Sequence, residues 1–398
     1  MIQKMNPTER RAALSLSVIM SLRLLGLFMV LPLFSLYANG LSGATPLLIG
    51  LAMGVYGLSQ AVLQIPFGAL SDHFGRRKII TLGLILFAAG SCLAALADNI
   101  WLMIVGRALQ GAGAVGSTLM AMIADLTRPE QRTKAMAIAG ITIGFSFMLA
   151  MMAGPLLAAG ITVPGLFWTA VGLSFLSILL LFTWVPTPTA PHFHAEVEPR
   201  IHDFFSLLKM PLLIQLNLGI FLLHVIFTAS FIVIPMSLQN LAGIAGSRQW
   251  LLYLPGLLIA FAITMPCVIA AEKKQLIKPF FIGGIILLAL AQILFWLFAK
   301  ELWISAISLI LFLTAFSLLE AFLPSLVSRA APPSRKGTAL GMYSCAQFFG
   351  IFIGGAVGGW LYGQFGLINV YLFCVILTLI WVIIAVKMNT GAIYYGKR

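Results

Sequence analysis

An all-α membrane protein of twelve transmembrane helices, folded as two pseudo-symmetric six-helix bundles with both termini cytoplasmic, is what the sequence predicts. Three observations carry that prediction. Hydrophobic residues make up 61% of the 398 positions and charged residues 9%, against roughly 25% charged in soluble domains. Twelve apolar stretches can be drawn at or near the about 20 residues that cross a bilayer. Lys and Arg crowd into alternate links, the pattern that marks the cytoplasmic side.

The stretches run 12–38, 47–71, 79–97, 101–124, 135–159, 164–185, 210–238, 249–271, 278–299, 302–326, 337–362 and 366–388. The first is too long for a cleavable signal and has no small-residue cleavage site after it, so it is expected to stay in the mature chain. With the N-terminus inside, Lys4, Arg10 and Arg11 precede span one, Arg76, Arg77 and Lys78 follow span two, and Arg128, Arg132 and Lys134 follow span four. Arg200 and Lys209 lie in the central link. Lys273, Lys274 and Lys278 follow span eight, Arg329, Arg335 and Lys336 follow span ten, and Lys387, Lys397 and Arg398 close the chain. Arg248 and Lys300 alone fall on outer links. The formal charge of +13 is therefore explained by topology rather than by a nucleic-acid face. The four cysteines, Cys92, Cys267, Cys345 and Cys374, fall inside apolar spans without paired spacing, so neither a disulfide framework nor a zinc site is indicated.

The longest link, from Pro186 to Leu208, divides the spans six and six, giving domains 1–185 and 209–398 joined by the linker 186–208. Its His192, His194 and Glu196 could ligate a metal, but the Pro-rich polar composition reads as a solvated tether. A weak internal repeat supports the halves: a shift of 204 residues sets Ala124–Pro129 against Ser328–Pro333, and Gly154 against Gly358. Ala271-Glu272-Lys273-Lys274 follows span eight as a degraded form of the basic turn after span two. Repeated halves with a midplane site between them build many secondary transporters.

Charge inside the spans is the chemical signal, because it costs several kcal/mol unless paired or hydrated. Arg107, Gln110 and Gly111 share one face of span four. Arg23 lies twelve residues beyond Arg11, about 18 Å deep, with Gly26 and Pro32 loosening the helix after it. Arg107 reads as functional or as a hydrogen-bond hub tying span four to its neighbours' carbonyls, and Arg23 as cavity-facing or as a buried structural charge. Among the acids, Glu320 is the exception that lies within hydrocarbon, about 13 Å before Arg329. It reads as the carrier of a coupling proton, or else as a static ion pair or carbonyl-capped acid. His224, the one intramembrane histidine, ranks second. Gln110, Gln215, Asn217 and Gln347 are assigned with Arg23 to a substrate cavity. Gly111, Gly113, Gly144, Gly154, Pro155, Gly350, Gly354 and Gly358 are assigned to close helix packing, static or sliding.

The turn Phe67–Ile80 concentrates four signals. Gly68 allows close helix approach, Asp72 sits near a helix end, Gly75 permits a sharp reversal, and Arg76, Arg77 and Lys78 hold the positive side.

This turn resembles the loop motif G-x-L-x-D-x-x-G-R-[RK] of the major facilitator superfamily through Gly68, Leu70, Asp72, Gly75, Arg76 and Arg77. Arg107, Gln110, Gly111 and Gly113 meet the span-four motif R-x-x-Q-G-x-G, and Gly144, Gly154 and Pro155 meet part of the antiporter motif, where Leu156-Leu157-Ala158-Ala159 replaces the usual small ending. The chain is similar to the twelve-spanner drug:proton antiporter branch. Arg23-Leu24-Leu25-Gly26 with Pro32, Leu319-Glu320-Ala321 with Pro324, and Arg335–Gly341 resemble the bacterial YajR-type efflux transporters. Those carry an extra soluble C-terminal domain, expected to be missing here because the chain ends soon after span twelve.

The resemblance implies that Asp72 meets the start of span eleven, that Arg76 reaches Asp125 and latches the outward-open state, and that Arg107 responds to the proton. Taken together, the expectation is proton-coupled efflux of amphipathic or drug-like molecules by a monomer of the bacterial inner membrane. The alternatives are a dedicated exporter or importer of one metabolite or siderophore, and a non-transporting sensor or scaffold. The partners are lipid, substrate and protons. No cofactor, metal, nucleic acid or enzyme activity is expected, since no nucleophile, metal cluster or nucleotide loop appears in any link.

Overall fold

The computed structural model describes residues 5–186, 206–332 and 335–388. The linker with His192, His194 and Glu196 lies outside the described residues for most of its length, as do Lys4, Arg200, Lys397 and Arg398. Among the described residues there is no strand of any length, and ten helical stretches are long and apolar enough to cross a bilayer.

The helices are α1 (Pro7–Phe28), α2 (Leu31–Ala38), α3 (Pro46–Phe74), α4 (Arg76–Ala95), α5 (Ile100–Ala112), α6 (Gly116–Asp125), α7 (Pro129–Thr183), α8 (Pro211–Asn240), α9 (Trp250–Lys273), α10 (Ile277–Phe298), α11 (Leu302–Ala330), α12 (Lys336–Phe365) and α13 (Leu367–Lys387). Three departures from unbroken spans have physical causes. The first stretch breaks between α1 and α2, just before Pro32, which has no N–H to give the carbonyl of Phe28 and whose ring crowds it. A Cβ on Gly154 would run into the carbonyl of Met29 at that break, so only a glycine lets α7 reach it.

The stretch expected at 101–124 is two helices, α5 and α6, interrupted at Gly113–Val115. A Cβ on Gly113 would strike the carbonyl of Gly83, and Gly106 and Gly90 meet backbone to backbone one level away. The break thus accompanies a close approach of α5 to α4.

The third departure is α7, which runs 55 residues without a loop where two spans were expected, at 135–159 and 164–185. As one straight helix it would be about 80 Å long, far beyond the roughly 30 Å of hydrocarbon. Thr162 stands at φ 63°, ψ 174°, non-helical and on the positive-φ side that a β-branched residue rarely adopts, and Pro164 opens the following piece. The ends prove a reversal. Glu9 holds Arg128 at the start of α7, with Nε to Oε1 at 2.7 Å, while Arg11 Nε donates to the carbonyl of Trp184 at its end, at 2.8 Å. Two residues of one α1 turn thus touch both ends of the 55-residue helix.

The chain separates into two compact units. Unit 1 holds 1–32 and 62–195, and unit 2 holds 33–61 and 196–398. In unit 1 an apolar core gathers Leu16, Ile19, Ile80, Leu84, Leu119, Met122, Ala139 and Leu181. Arg11 and Arg77 both donate to carbonyls at the C-terminal end of α7, Arg77 Nη2 to Val185 at 2.7 Å, putting cations where a helix dipole favours them. Unit 2 repeats the device with Lys278, whose Nζ donates to the carbonyls of Val386 and Met388 at the end of α13.

Glycines place the helices of unit 2. On α12, Gly350, Gly354 and Gly358 pack on α8: a Cβ at Gly350 would sit 2.5 Å from the Phe221 carbonyl, at Gly354 it would strike the Val225 carbonyl, and at Gly358 it would come 2.9 Å from Ala229 Cα. A second glycine face of α12, Gly355 and Gly359, meets Gly50, Gly54 and Pro46 of α3. Gly144 corrects the packing assignment: it is exposed on α7 and a Cβ there would meet nothing within 4 Å, so no neighbour requires a glycine. Gly354→Val is expected to cost about 1–3 kcal/mol of stability through overpacking, read as a lowered Tm of the purified protein in detergent. Gly144→Ala is expected to leave Tm unchanged or slightly raised.

Candidate functional site

Glu320 of α11, Gln347 of α12 and His224 of α8 come together inside unit 2. Gln347 Nε2 donates to Glu320 Oε1 at 3.0 Å, and the same nitrogen lies 3.0 Å from His224 Nε2. His224 Nε2 stands 3.9 Å from Glu320 Oε2. The other ring nitrogen, Nδ1, lies 3.2 Å from the carbonyl of Ile220. A carbonyl oxygen only accepts, so the proton sits on Nδ1, which leaves a lone pair on Nε2 of a neutral ring. The two hydrogens of the Gln347 amide then serve one acceptor each. Glu320 Oε2 is buried and makes no hydrogen bond among the described residues.

The packing explains the meeting. Because Gly350 lets α12 lie against α8, where a Cβ would stand 2.5 Å from the Phe221 carbonyl and 3.2 Å from His224 Cβ, Gln347, three residues earlier, is carried onto the histidine. Phe227 and Phe316 flank the imidazole, with ring centres 6.1 and 5.7 Å away. His224 is 5% exposed, whereas 35% of the Glu320 side chain is accessible, although its Oε2 atom is itself buried. Gln347, assigned to a substrate cavity, is half-buried and bridges two titratable groups through its amide.

Tyr343, one helical turn before Gln347, has its hydroxyl buried and unbonded among the described residues. Sequence reasoning passed it over, although its spacing of four from Gln347 places both on one face.

In unit 1 the polar spans form a different arrangement. Arg107 Nη1 donates to Gln110 Oε1 at 2.7 Å, Gln110 Nε2 to Ser91 Oγ at 2.7 Å, and Ser91 Oγ to the Phe87 carbonyl at 2.7 Å. Arg23 lies with its Cζ 5.4 Å from the Phe87 ring centre, a cation–π contact. Both arginines and Gln110 are buried. This corrects the assignment of Gln110 to an open cavity: it is fully enclosed and ties α5 to α4. Gln215 and Asn217 are half-buried on the first two turns of α8.

At the basic turn, Arg76 binds three groups: its Nε donates to Asp125 Oδ2 at 2.9 Å, and its Nη1 pairs with Asp72 and donates to Ser71 Oγ at 2.5 Å. Ser71 Oγ in turn donates a hydrogen bond to the carbonyl of Gly68 at 2.6 Å. Gly75 caps α4 at φ 93°, a conformation that favours glycine. Unit 2 is not the bare remnant expected from the degraded repeat. Arg329, which the shift of 204 places on Asp125, binds Glu272 at 2.7 Å, so an ion pair also stands at the equivalent turn. It is also far more exposed, 37% and 52% against 19% and 22% for Arg76 and Asp125.

The Glu9–Arg128 contact was not foreseen. Glu9 closes a capping box with Asn6 and also receives the backbone N–H of Arg128 at 3.0 Å, so one carboxylate caps the starts of α1 and α7.

No group of three or more His, Cys, Asp or Glu that could hold a metal occurs among the described residues.

Comparison with known proteins gives a consistent picture. The profile of the Major Facilitator Superfamily matches residues 16–273 and 275–390. The chain is 43% identical over 386 residues to the "Inner membrane transport protein YajR" of Escherichia coli (strain K12), covering 97% of this chain and 85% of that protein. It is 25% identical over 353 residues to the "Multidrug resistance protein MdtH" of Proteus mirabilis (strain HI4320), covering 85% and 84%. Among solved structures, a bacterial homologue of the human lysosomal transporter Spinster, in an inward-facing and occupied conformation, matches with a TM-score of 0.80 at 16% identity, over 97% of this chain and 98% of that one. That last likeness is one of fold.

Proposed function

Because the chain belongs to the Major Facilitator Superfamily, a family of membrane transporters rather than enzymes, we propose that it is a proton-coupled secondary active transporter exporting amphipathic or drug-like small molecules by antiport. The observation that carries the proton-coupling step is the Glu320–Gln347–His224 cluster: a carboxyl within a span, held by an amide against a neutral imidazole. With Glu320 ionised, Gln347 satisfies Oε1. A proton arriving at Oε2 stands 3.9 Å from His224 Nε2, so sharing it between the two requires that they move closer and that Nε2 release the amide of Gln347. Losing the carboxylate charge weakens the pull on Gln347, and through it on α12, which couples protonation to helix position.

Counting α1 with α2 as one crossing, 129–161 and 163–183 as separate crossings, and α5 with α6 as one, gives twelve spans with both termini cytoplasmic. The bacterial inner membrane is the proposed location, in keeping with the name of the YajR relative, and the drug-like substrate class draws on the name of MdtH. The six-and-six division at 186–208, the monomeric state, the cavity roles of Arg23, Gln215 and Asn217, the proton response of Arg107 and the latch of Asp72, Arg76, Arg77 and Asp125 belong to the same proposal.

Purified protein in proteoliposomes with an imposed pH gradient and a panel of cationic and neutral amphiphilic dyes tests it. Dye movement accompanied by opposite proton movement is expected. Selective movement of one compound class favours a dedicated exporter, and no movement under any gradient refutes the reading.

A further inference from the structure

Three cations of unit 1 gather at the C-terminal end of α7 with no acid to balance them. Arg11 of α1 gives Nε to the carbonyl of Trp184 at 2.8 Å and Nη2 to that of Thr183 at 3.3 Å, and Arg77 of α4 gives Nη2 to that of Val185 at 2.7 Å. Two guanidiniums thus stand on three consecutive carbonyls, and Lys78 follows Arg77 on the first turn of α4. None of the three forms an ion pair among the described residues: Glu9 is taken up by Arg128, and Asp72 and Asp125 by Arg76. The end of a helix dipole supplies about half a negative charge, so most of the positive charge is left unbalanced.

That charge is within reach of a ligand. Arg11 and Lys78 are exposed and Arg77 is half-buried, and Nη1 of each guanidinium makes no hydrogen bond among the described residues. Apolar side chains lie open beside the cations. Leu14 stands three residues after Arg11 and Leu82 four after Lys78, each on its cation's helix face, and Leu179 and Phe182 are exposed on the last turn of α7. Trp184, at the level of the cations, is half-buried, as an aromatic ring is where a bilayer passes from headgroups to hydrocarbon.

We propose that this end of unit 1 is a binding site for one anionic phospholipid, its phosphate held by Arg11, Arg77 and Lys78 and its acyl chains lying along Leu14, Leu82, Leu179 and Phe182. Guanidinium-to-phosphate hydrogen bonds are charge-assisted, and basic pockets between spans are the kind of site that takes acidic lipid headgroups. A free phosphate ion would meet the cations but leave the apolar flank uncovered, so the lipid is the occupant. Arg77 directly follows Arg76, so the lipid ties α1, α4 and the end of α7 together beside the Asp72–Arg76–Asp125 network. The site does not rest on the transport reading.

The test is native mass spectrometry of the purified full chain in a non-ionic detergent, titrated with phosphatidylglycerol or phosphatidylethanolamine of the same acyl chains. The quantity read is the apparent Kd of the first lipid bound. Phosphatidylglycerol is expected to bind at least about 10-fold tighter than phosphatidylethanolamine, and inorganic phosphate in large excess is expected not to displace it. Arg11→Gln and Lys78→Gln are each expected to weaken phosphatidylglycerol about 5-fold, the effect of one cation near an acidic headgroup. The double variant Lys273→Gln/Lys274→Gln, which removes two exposed lysines at the end of α9 in unit 2, is expected to bind it as the wild type does.

Equal affinity for the two lipids, displacement by inorganic phosphate, an unchanged Kd in Lys78→Gln, or an equal loss in the unit 2 variant would each overturn the proposal. Arg11→Gln gives up a cap on α7, whereas the Lys78 side chain makes no hydrogen bond or ion pair among the described residues, so Lys78→Gln keeps the test decisive if the first variant fails to fold.

Discussion

Glu320→Gln is expected to bring proton-driven transport to background while leaving the protein folded, at wild-type level in the membrane and with an unchanged Tm to within a few degrees. The substitution keeps size and one acceptor, so Gln347 retains a partner, but an amide cannot take up a proton. Every step that needs the charge at this position to appear and vanish is then lost together. Counterflow of labelled substrate with no net proton movement is expected to survive, because the cavity and the helices are intact. A Glu320→Gln protein that still concentrates substrate against a pH gradient would place the coupling elsewhere, with Arg107 the next residue to test.

The second large effect is at the basic turn. Asp72→Asn is expected to reduce transport at least tenfold, whereas Glu272→Gln is expected to reduce it less than twofold. The reason lies in the geometry. Arg76 is shared among Asp72, Asp125 and Ser71 and is mostly shielded, so removing one charge rearranges the network that joins the end of α3 to α6. The Arg329–Glu272 pair is an exposed two-member bridge, of a kind worth about 0–1 kcal/mol. Initial transport rates in the same vesicles, normalised to protein, decide it. Equal losses from the two substitutions would remove the asymmetry on which the latch depends.

Much of this was legible in the sequence, and the reason differs from residue to residue. Spans were readable because hydrocarbon demands about 20 apolar residues, and Glu320 stood out because no other carboxyl lay within them. Arg76 and Asp125 could be paired from their place in a recognisable loop motif, and the structure puts them 2.9 Å apart.

What hydropathy does not report is which face of a helix meets which neighbour. Gln347 was therefore assigned to a substrate cavity with no partner named, although the glycine face at 350, 354 and 358 dictates its approach to His224. Gln110 was misplaced for the same reason, since its partner Ser91 sits on another helix nineteen residues away. The reversal at Thr162 was visible as a point between two spans but not as a single residue doing the work of a loop. The Glu9–Arg128 cap joins residues 119 apart, a separation at which charge spacing along the chain carries no signal.

The central claim is that the proton resides in the Glu320–Gln347–His224 cluster, and infrared difference spectroscopy of the reconstituted protein during a pH titration tests it most directly. A protonated-carboxyl stretching band is predicted to grow in as pH falls, to be absent in Glu320→Gln and to shift in frequency in Gln347→Leu, which removes the amide that touches Oε1. The same band at the same frequency in Glu320→Gln would contradict the account.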